Sequence, residues 1–105
     1  MMDRFKFRAW HKANEVMVYF DEDDVYQLSH LFHLMRGTHK EDGTVEQCTG
    51  LKDKNGTLIY EGDVVEWIGC KEAVYWDTFG WMFGKDSLNS QVKVIGNIHE
   101  NGDLL

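Results

Sequence analysis

The stretch TGLKDKNGTLIYEGDVVEW, residues 49–67, contains two short strand-like runs separated by tight turns. The run Asp53–Gly56 (DKNG) is a turn of the Asn-Gly kind, whose backbone tolerates positive φ angles. Leu58–Tyr60 is apolar and aromatic, and Val64–Ile68 resumes that pattern after the turn at 61–63, as is typical of strands. The stretch therefore predicts a β-rich fold built from short, closely spaced strands.

The acids and glycines of this stretch also admit a functional interpretation. Glu61 and Asp63 could act as an acid–base pair or bind Mg²⁺, but no histidine, lysine or nucleophile lies close to them in the sequence. The glycines do not fit a phosphate-binding loop, which needs a lysine and a serine or threonine at fixed spacing. We interpret Gly56, Gly62 and Asp63 as turn residues: the glycines supply positive φ, and the carboxylate accepts backbone N–H groups.

Short strands are predicted along the rest of the C-terminal half. Ala73–Trp76, Trp81–Phe83 and Val92–Ile98 have strand character and are separated by glycine, asparagine and serine. Short strands at such close intervals are typical of a small barrel. We assign residues 47–105 to one β-barrel domain.

The N-terminal part predicts a β-hairpin followed by one α-helix. Phe5–Trp10 alternates with a period of two, which indicates a half-buried strand, and Val16–Phe20 returns as its partner. Apolar residues at helical spacing predict a helix over Val25–Arg36, and residues 38–45 are predicted to form a polar loop. We assign residues 1–46 to this hairpin, helix and loop, so the expected fold is mainly β.

Composition excludes several classes of protein. The 105 residues suit one domain, and the formal net charge of −7, from 18 acidic and 11 basic residues, disfavours binding to nucleic acid. No apolar run approaches the ~20 residues that a membrane span needs, so we expect no membrane association. Cys48 and Cys70 form no CxxC pair and are expected to be free thiols.

Three motifs taken together resemble one protein family. FRAW at residues 7–10, followed by Met17, matches its N-terminal strand pair; TGLKDKNG and IYEGDVV match its central signature; and VIGNIHEN with the final LL, within residues 94–105, matches its C-terminal end. The chain resembles the YopX family of small phage and prophage proteins. The resemblance implies an SH3-type barrel in the C-terminal domain and a phage or prophage gene expressed in the bacterial cytoplasm. It implies no activity, because the family has no agreed one.

The histidines offer a weak metal site. His30 and His33 lie three residues apart on the predicted helix and could share a metal ion, although a third ligand, such as His39 or an acid of residues 21–24, would be needed. The alternative is a pair of exposed polar side chains, and we therefore predict no metal and no cofactor. His11 and His99 are isolated in the sequence and are expected on the surface.

An aromatic cluster is the first candidate binding surface. It comprises Tyr75, Trp76, Phe79 and Trp81, with Trp67, Tyr60 and Phe83 nearby in the predicted barrel. A small barrel cannot bury both faces of every strand, so some of these rings could form a peptide groove or a subunit contact. The alternative is that they fill the barrel and its seam against the helix.

A basic face on the first strand is the second candidate surface. Its residues are Arg4, Lys6, Arg8 and Trp10. Basic residues interleaved with an aromatic ring can hold single-stranded nucleic acid. The alternative is that they pair with the acids of the chain itself, which the negative net charge favours.

These observations predict a non-enzymatic protein-binding or self-assembling module of phage origin. Exposed strand edges and an uncovered helix stripe lead us to expect a homo-oligomer, while the identity of any other protein partner cannot be read from the sequence. One alternative is an inhibitor whose acidic surface imitates the charge of DNA and blocks a host nucleic-acid-handling protein. Another is a metal-dependent hydrolase built around His30 and His33.

Overall fold

A computed structural model of the chain describes residues 6–12, 15–20, 43–78 and 80–105. These residues are mainly β, as predicted, with one short 3₁₀ turn at Gly102–Leu104 within the described ranges. The strands are β1 (Phe7–His11), β2 (Val16–Phe20), β3 (Gly43–Lys52), β4 (Leu58–Tyr60), β5 (Asp63–Trp67), β6 (Cys70–Asp77), β7 (Gly80–Phe83), β8 (Asp86–Ser87) and β9 (Lys93–Asn97).

Some predicted features fall outside the described residues. They are the helix Val25–Arg36 with His30 and His33, and the aromatic residue Phe79. Of the residues that are described, none belongs to a helix with the length and apolar character that crossing a bilayer requires.

The first sheet has the strand order β2-β1-β3-β4, and its paired strands are antiparallel. The first half of β3 pairs with β1 and the second half with β4, with a register shift between Cys48 and Lys52. The predicted boundary between residues 46 and 47 thus falls inside β3. The predicted loop at 38–45 is wrong for residues 43–45, because their backbone pairs with His11, Trp10 and Ala9 of β1.

Both faces of β1 are buried, although its alternation predicted a half-buried strand. Ala9, 1% exposed, packs with Phe20 on one face. Arg8 and Trp10, 2% and 9% exposed, lie on the other. An arginine can be buried there because acidic side chains from β3 and β5 meet it, as described below.

The second sheet has the order β8-β7-β6-β5-β9 and carries the larger apolar core. That core contains Ile59, Val65, Val74, Phe83 and Val92, each no more than 2% exposed. Trp67 and Trp81 pack against it while staying partly exposed. Ile59 belongs to β4 of the first sheet, so the two sheets share this core.

The side chain of Asp53 ties the DKNG turn to the second sheet. Its Oδ1 accepts the N–H groups of Asn55 at 2.8 Å and Thr57 at 2.9 Å, and its Oδ2 accepts the N–H of Val94 in β9 at 2.9 Å. Burial acts to raise the pKa of Asp53, but these backbone donors outweigh it and hold the pKa below its usual value. The turn at Gly56, with φ of 83°, is thereby fixed against β9.

Candidate functional site

Four ionisable side chains from distant parts of the sequence meet in the interior; we call Arg8, Glu46, Asp63 and His99 the buried charge cluster. Nε of Arg8 donates to Oε1 of Glu46 at 2.8 Å, and Nη1 of Arg8 lies 2.7 Å from Oδ1 of Asp63. Nε2 of His99 lies 3.0 Å from Oε2 of Glu46. The side chains of the first three residues are 3–4% exposed and that of His99 is 13% exposed.

Local folding explains why these side chains converge. Arg8 and Glu46 are direct partners in the antiparallel register of β1 and β3, so their side chains lie on the same face. Asp63 begins β5, immediately after a turn whose backbone is hydrogen-bonded to β3, to β6 and to the segment after β9. His99 follows β9 in a turn that the side-chain oxygen of Asn97 holds, by accepting the N–H groups of His99 and Glu100.

The backbone of Gly62 connects the segments that bring these side chains together. Its N–H donates to the carbonyl of Val74, and its own carbonyl accepts the N–H of Ile98, both at 2.9 Å. Its φ of 85° favours glycine, and a Cβ at this position would overlap the carboxylate of Glu46. Glycine at this position therefore lets the Glu46 carboxylate of β3 lie directly against the turn that precedes β5.

The guanidinium and the carboxylates of the cluster are paired with other groups of the fold. Nη2 of Arg8 donates to the carbonyl of Glu61 at 3.1 Å, and the guanidinium lies 4.9 Å from the centre of the Tyr60 ring. Oδ2 of Asp63 accepts the N–H of Tyr60 at 2.8 Å. Within residues 6–12, 15–20, 43–78 and 80–105, no buried side-chain nitrogen or oxygen lacks a partner.

Burial and ion pairing act against each other on the ionisation of these groups. Burial acts to lower the pKa of Arg8, but Asp63 and Glu46 outweigh it and the pKa is raised. Burial raises the pKa of Asp63, and Arg8 with the Tyr60 N–H offsets part of that rise. Burial, reinforced by Cys48 and Tyr19, raises the pKa of Tyr60 to about 12. The arginine stays charged and therefore depends on its two carboxylate partners.

His99 does not lie on the surface as expected. Its imidazole stacks on the indole of Trp10, with ring centroids 5.3 Å apart and planes 12° from parallel, and it contacts Glu46. The sequence interpretation missed this because the partners of His99 lie far away along the chain. Glu46 was missed for the same reason. The one feature of the sequence that could have pointed to the cluster is that Arg8 and His99 belong to separate motifs of one family.

Of the basic face predicted for the first strand, Lys6 is partly buried, and Arg8 and Trp10 are buried and face no solvent. Arg8 pairs with the acids of the chain itself, which was one of the two alternatives, and Trp10 is buried beneath His99. Arg4 lies outside the described residues. The part of the face that the structure describes therefore offers no exposed arginine to a phosphate.

The described residues include no metal-binding group, and they include both cysteines. No group of three or more His, Cys, Asp or Glu side chains in the described part of the chain is arranged to hold a metal ion. The two cysteines form no disulfide bond with each other, as predicted: Cys48 is buried and Cys70 is exposed.

The aromatic candidates divide between the two faces of the β6–β7 hairpin. Trp76 and Trp81 are cross-strand partners, with ring centroids 5.0 Å apart and planes at 72°, and we call them the tryptophan pair. Trp81 packs on the core, whereas Trp76 is 62% exposed. Tyr75 points to the opposite face of β6, where its hydroxyl donates to the carbonyl of Gly84 at 2.6 Å. Of the three candidates that the structure describes, it thus places two, Trp76 and Trp81, side by side.

Comparisons with known proteins agree with the motifs and the fold. The sequence model described as YopX protein matches residues 6–105. The crystal structure of protein EF1440 from Enterococcus faecalis is similar to this chain with a TM-score of 0.63 at 20% identity, over 95% of this chain and 96% of that one. No protein with a curated description matches the chain.

Proposed function

We propose, since this chain belongs to the YopX family, that it is a small phage or prophage protein which acts by binding another protein and performs no reaction. The exposed tryptophan pair carries this proposal. Trp76 exposes 62% of its surface, although a tryptophan buries more apolar area than any other side chain when it is covered. Large exposed aromatic residues are the commonest anchors of protein–protein interfaces.

The geometry of the pair supports binding. The edge-to-face contact with Trp81, itself packed on Phe83 and its neighbours in the core, restricts the rotamers of Trp76 before a partner arrives. A side chain that is already ordered loses less conformational entropy on association. The surface is therefore organised for contact in advance.

The buried charge cluster supports the second part of the proposal, that the protein performs no reaction. Its carboxylates and guanidinium are paired with each other or with backbone groups, and three of its four members are almost inaccessible. A catalytic group has to reach a substrate and exchange a proton with it. Arg8, Glu46 and Asp63 are better suited to joining β1, β3 and β5.

The proposal includes the setting of the protein. Family membership supports expression in a bacterial host, in its cytoplasm. The net charge of −7 favours a partner with a basic surface. We also assign the second sheet to the SH3-type barrels, supported by five short antiparallel strands around one core, and self-association into a homo-oligomer is the simplest form that the binding could take.

The test compares two exposed aromatic positions. The variant is Trp76→Ser, and its control is Tyr19→Ser, because Tyr19 is 58% exposed on β2. Each of the two variants and the wild type is cross-linked in host lysate to detect a partner. The mass of each purified protein in solution is then compared with the 12.3 kDa of the monomer. We expect Trp76→Ser to lose hetero- or self-association and Tyr19→Ser to keep it. Equal association of all three proteins would overturn the proposal. Association that only salt disrupts, with Trp76→Ser unaffected, would instead favour the DNA-mimicking inhibitor.

A further inference from the structure

A cleft opens at the end of the second sheet that is opposite the tryptophan pair. It lies between the β5–β6 turn and the β7–β8 turn and has a volume of about 540 Å³. Cys70 lines it at the start of β6, and Trp76 lies about 20 Å further along the same extended strand. Its volume falls in the range of sites that hold small ligands or a few side chains.

The floor of the cleft is aromatic and fixed in position. Trp67 and Phe83 both line it, and their rings meet edge to face with centroids 5.7 Å apart. Phe83 is a core residue that is 2% exposed, and Trp67 packs against the same core. Among aromatic side chains, the face of tryptophan attracts a cation most strongly.

Two carboxylates lie at the rim of this floor. Glu72 of β6 and Asp86 of β8 are both exposed and both line the cleft. Glu72 extends towards Gly84, where an added Cβ would lie 3.1 Å from its Cδ. Neither Glu72 nor Asp86 forms a side-chain ion pair or hydrogen bond with any residue that the structure describes. Lys85 is the one basic residue of the described lining, so the two carboxylates leave an excess negative charge.

We infer that this cleft binds an arginine side chain from a basic segment of the protein partner, an inference that rests on the proposed function. The guanidinium plane lies on the indole of Trp67, and its N–H groups donate to Glu72 and Asp86. Charge decides the class of occupant, because a rim with excess negative charge on a chain of net charge −7 attracts a basic segment. Arginine fits better than lysine, which lacks the planar group that stacks on a ring.

The inference is tested by titrating an acetylated tetra-arginine amide into ¹⁵N-labelled full-length protein at 150 mM salt. We expect saturable shifts of the Trp67 indole and Gly84 amide signals, and about tenfold weaker binding by Glu72→Gln, the loss typical of one charge-assisted hydrogen bond. Asp86→Asn provides a second variant with the same expectation. Glu66→Gln is the matched control, because Glu66 precedes Trp67 on β5 and points to the opposite face, and it should bind like wild type.

Several results would overturn the inference. Shifts that do not saturate, or that Glu72→Gln leaves unchanged, would mean general attraction to an acidic surface. The same shifts produced by magnesium chloride at matched ionic strength would mean that the carboxylates take a metal ion, and shifts on protein dilution alone would mean that a second copy fills the cleft. Trp76→Ser should bind the peptide normally, because Trp76 lies outside the cleft. If Trp76→Ser binds the peptide and also associates with the partner like wild type, the proposed function fails while the arginine site is retained.

Discussion

The buried charge cluster holds charged side chains in the interior, whereas the tryptophan pair holds a large apolar ring at the surface. In the cluster, Arg8, Glu46 and Asp63 are removed from water and bound to one another. At the far end of β6, Trp76 keeps 62% of its surface in water. The comparison shows that charged side chains join strands in the interior of this protein, alongside its apolar core, whereas the large apolar ring of Trp76 lies at the surface.

The two regions should therefore respond differently to mutation. Removing one partner from a buried ion pair leaves the other charged group desolvated and unpaired, which is strongly destabilising. Truncating an exposed ring removes little that the folded monomer needs. Four substitutions examine this contrast, in order from the largest expected loss of stability to the smallest.

Arg8→Met should give the largest loss. It leaves the carboxylates of Glu46 and Asp63 buried without their cation, so we expect the free energy of unfolding at pH 7 to fall by about 3–5 kcal/mol. Lys93→Met, at an exposed position in β9, is the control and should stay within about 0.5 kcal/mol of wild type. Urea denaturation measures both. A loss below about 1 kcal/mol for Arg8→Met would mean that the cluster does not hold the fold together.

Gly62→Ala should come next, because two effects combine. The residue has a φ of 85°, and its new Cβ would displace the Glu46 carboxylate, so we expect a loss of about 2–4 kcal/mol in the same denaturation experiment. Gly56→Ala separates the two effects. Its φ is 83° but no atom lies within 4 Å of the added Cβ, so only backbone strain of about 1 kcal/mol remains. Equal losses for the two variants would remove the reason for placing Gly62 at the centre of the cluster.

The sequence predicted the parts of the fold that depend on local pattern. The alternation of Phe5–Trp10, the β-branched and aromatic residues of Val16–Phe20 and the DKNG turn are local features of the sequence, so the first hairpin and β4 could be located. Leu58–Tyr60 was predicted with the bounds that the structure shows, and the next strand was predicted one residue late, at Val64–Ile68 where β5 spans Asp63–Trp67, a shift that is usual for sequence patterns.

The candidate site depended on distant contacts and was largely missed. Glu46 and His99 lie 53 residues apart yet touch, and no periodicity in either segment signals the contact. The polar sequence around residues 43–45 predicts a loop and gives no sign of their pairing with β1. Trp76 could be named but its exposure could not, because exposure depends on where the core of the second sheet ends.

Asp53→Asn should show a smaller effect that depends on pH. The folded-state pKa of Asp53 is held below the ordinary value for an aspartate, so the ionised carboxylate stabilises the fold above that ordinary value, and this contribution is lost as the pH falls through the folded-state pKa. We expect Asn to lower stability by about 1–2 kcal/mol at pH 7, mainly through the contact with Val94, and the gap to wild type to narrow as the pH falls below the ordinary pKa of an aspartate.

Thermal unfolding of both proteins between pH 7 and pH 2 measures this closing gap. Asp103→Asn, at an exposed position near the C-terminal end, serves as the control and should follow wild type throughout. A gap between wild type and Asp53→Asn that stays constant with pH would show that the charge of Asp53 does not hold the turn against β9.

Trp76→Ser should have the smallest effect on stability. The ring is mostly in water and contacts Trp81 at its edge, so we expect a change within about 0.5 kcal/mol in urea denaturation. Trp81→Ser is the comparison variant, because Trp81 packs on the core and its removal should cost about 2–4 kcal/mol. Similar losses for both tryptophans would mean that Trp76 belongs to the core and is not available to a partner.

Partner association by two folded variants, His99→Asn and Trp76→Ser, tests the central claim most directly. His99 is the most accessible member of the buried charge cluster, so its replacement disturbs that cluster with the least damage to the fold. With both proteins shown to be folded by near-ultraviolet circular dichroism, we expect His99→Asn to associate like wild type and Trp76→Ser not to associate. Loss of association by His99→Asn while Trp76→Ser binds normally would contradict it and would place the functional site in the charge cluster.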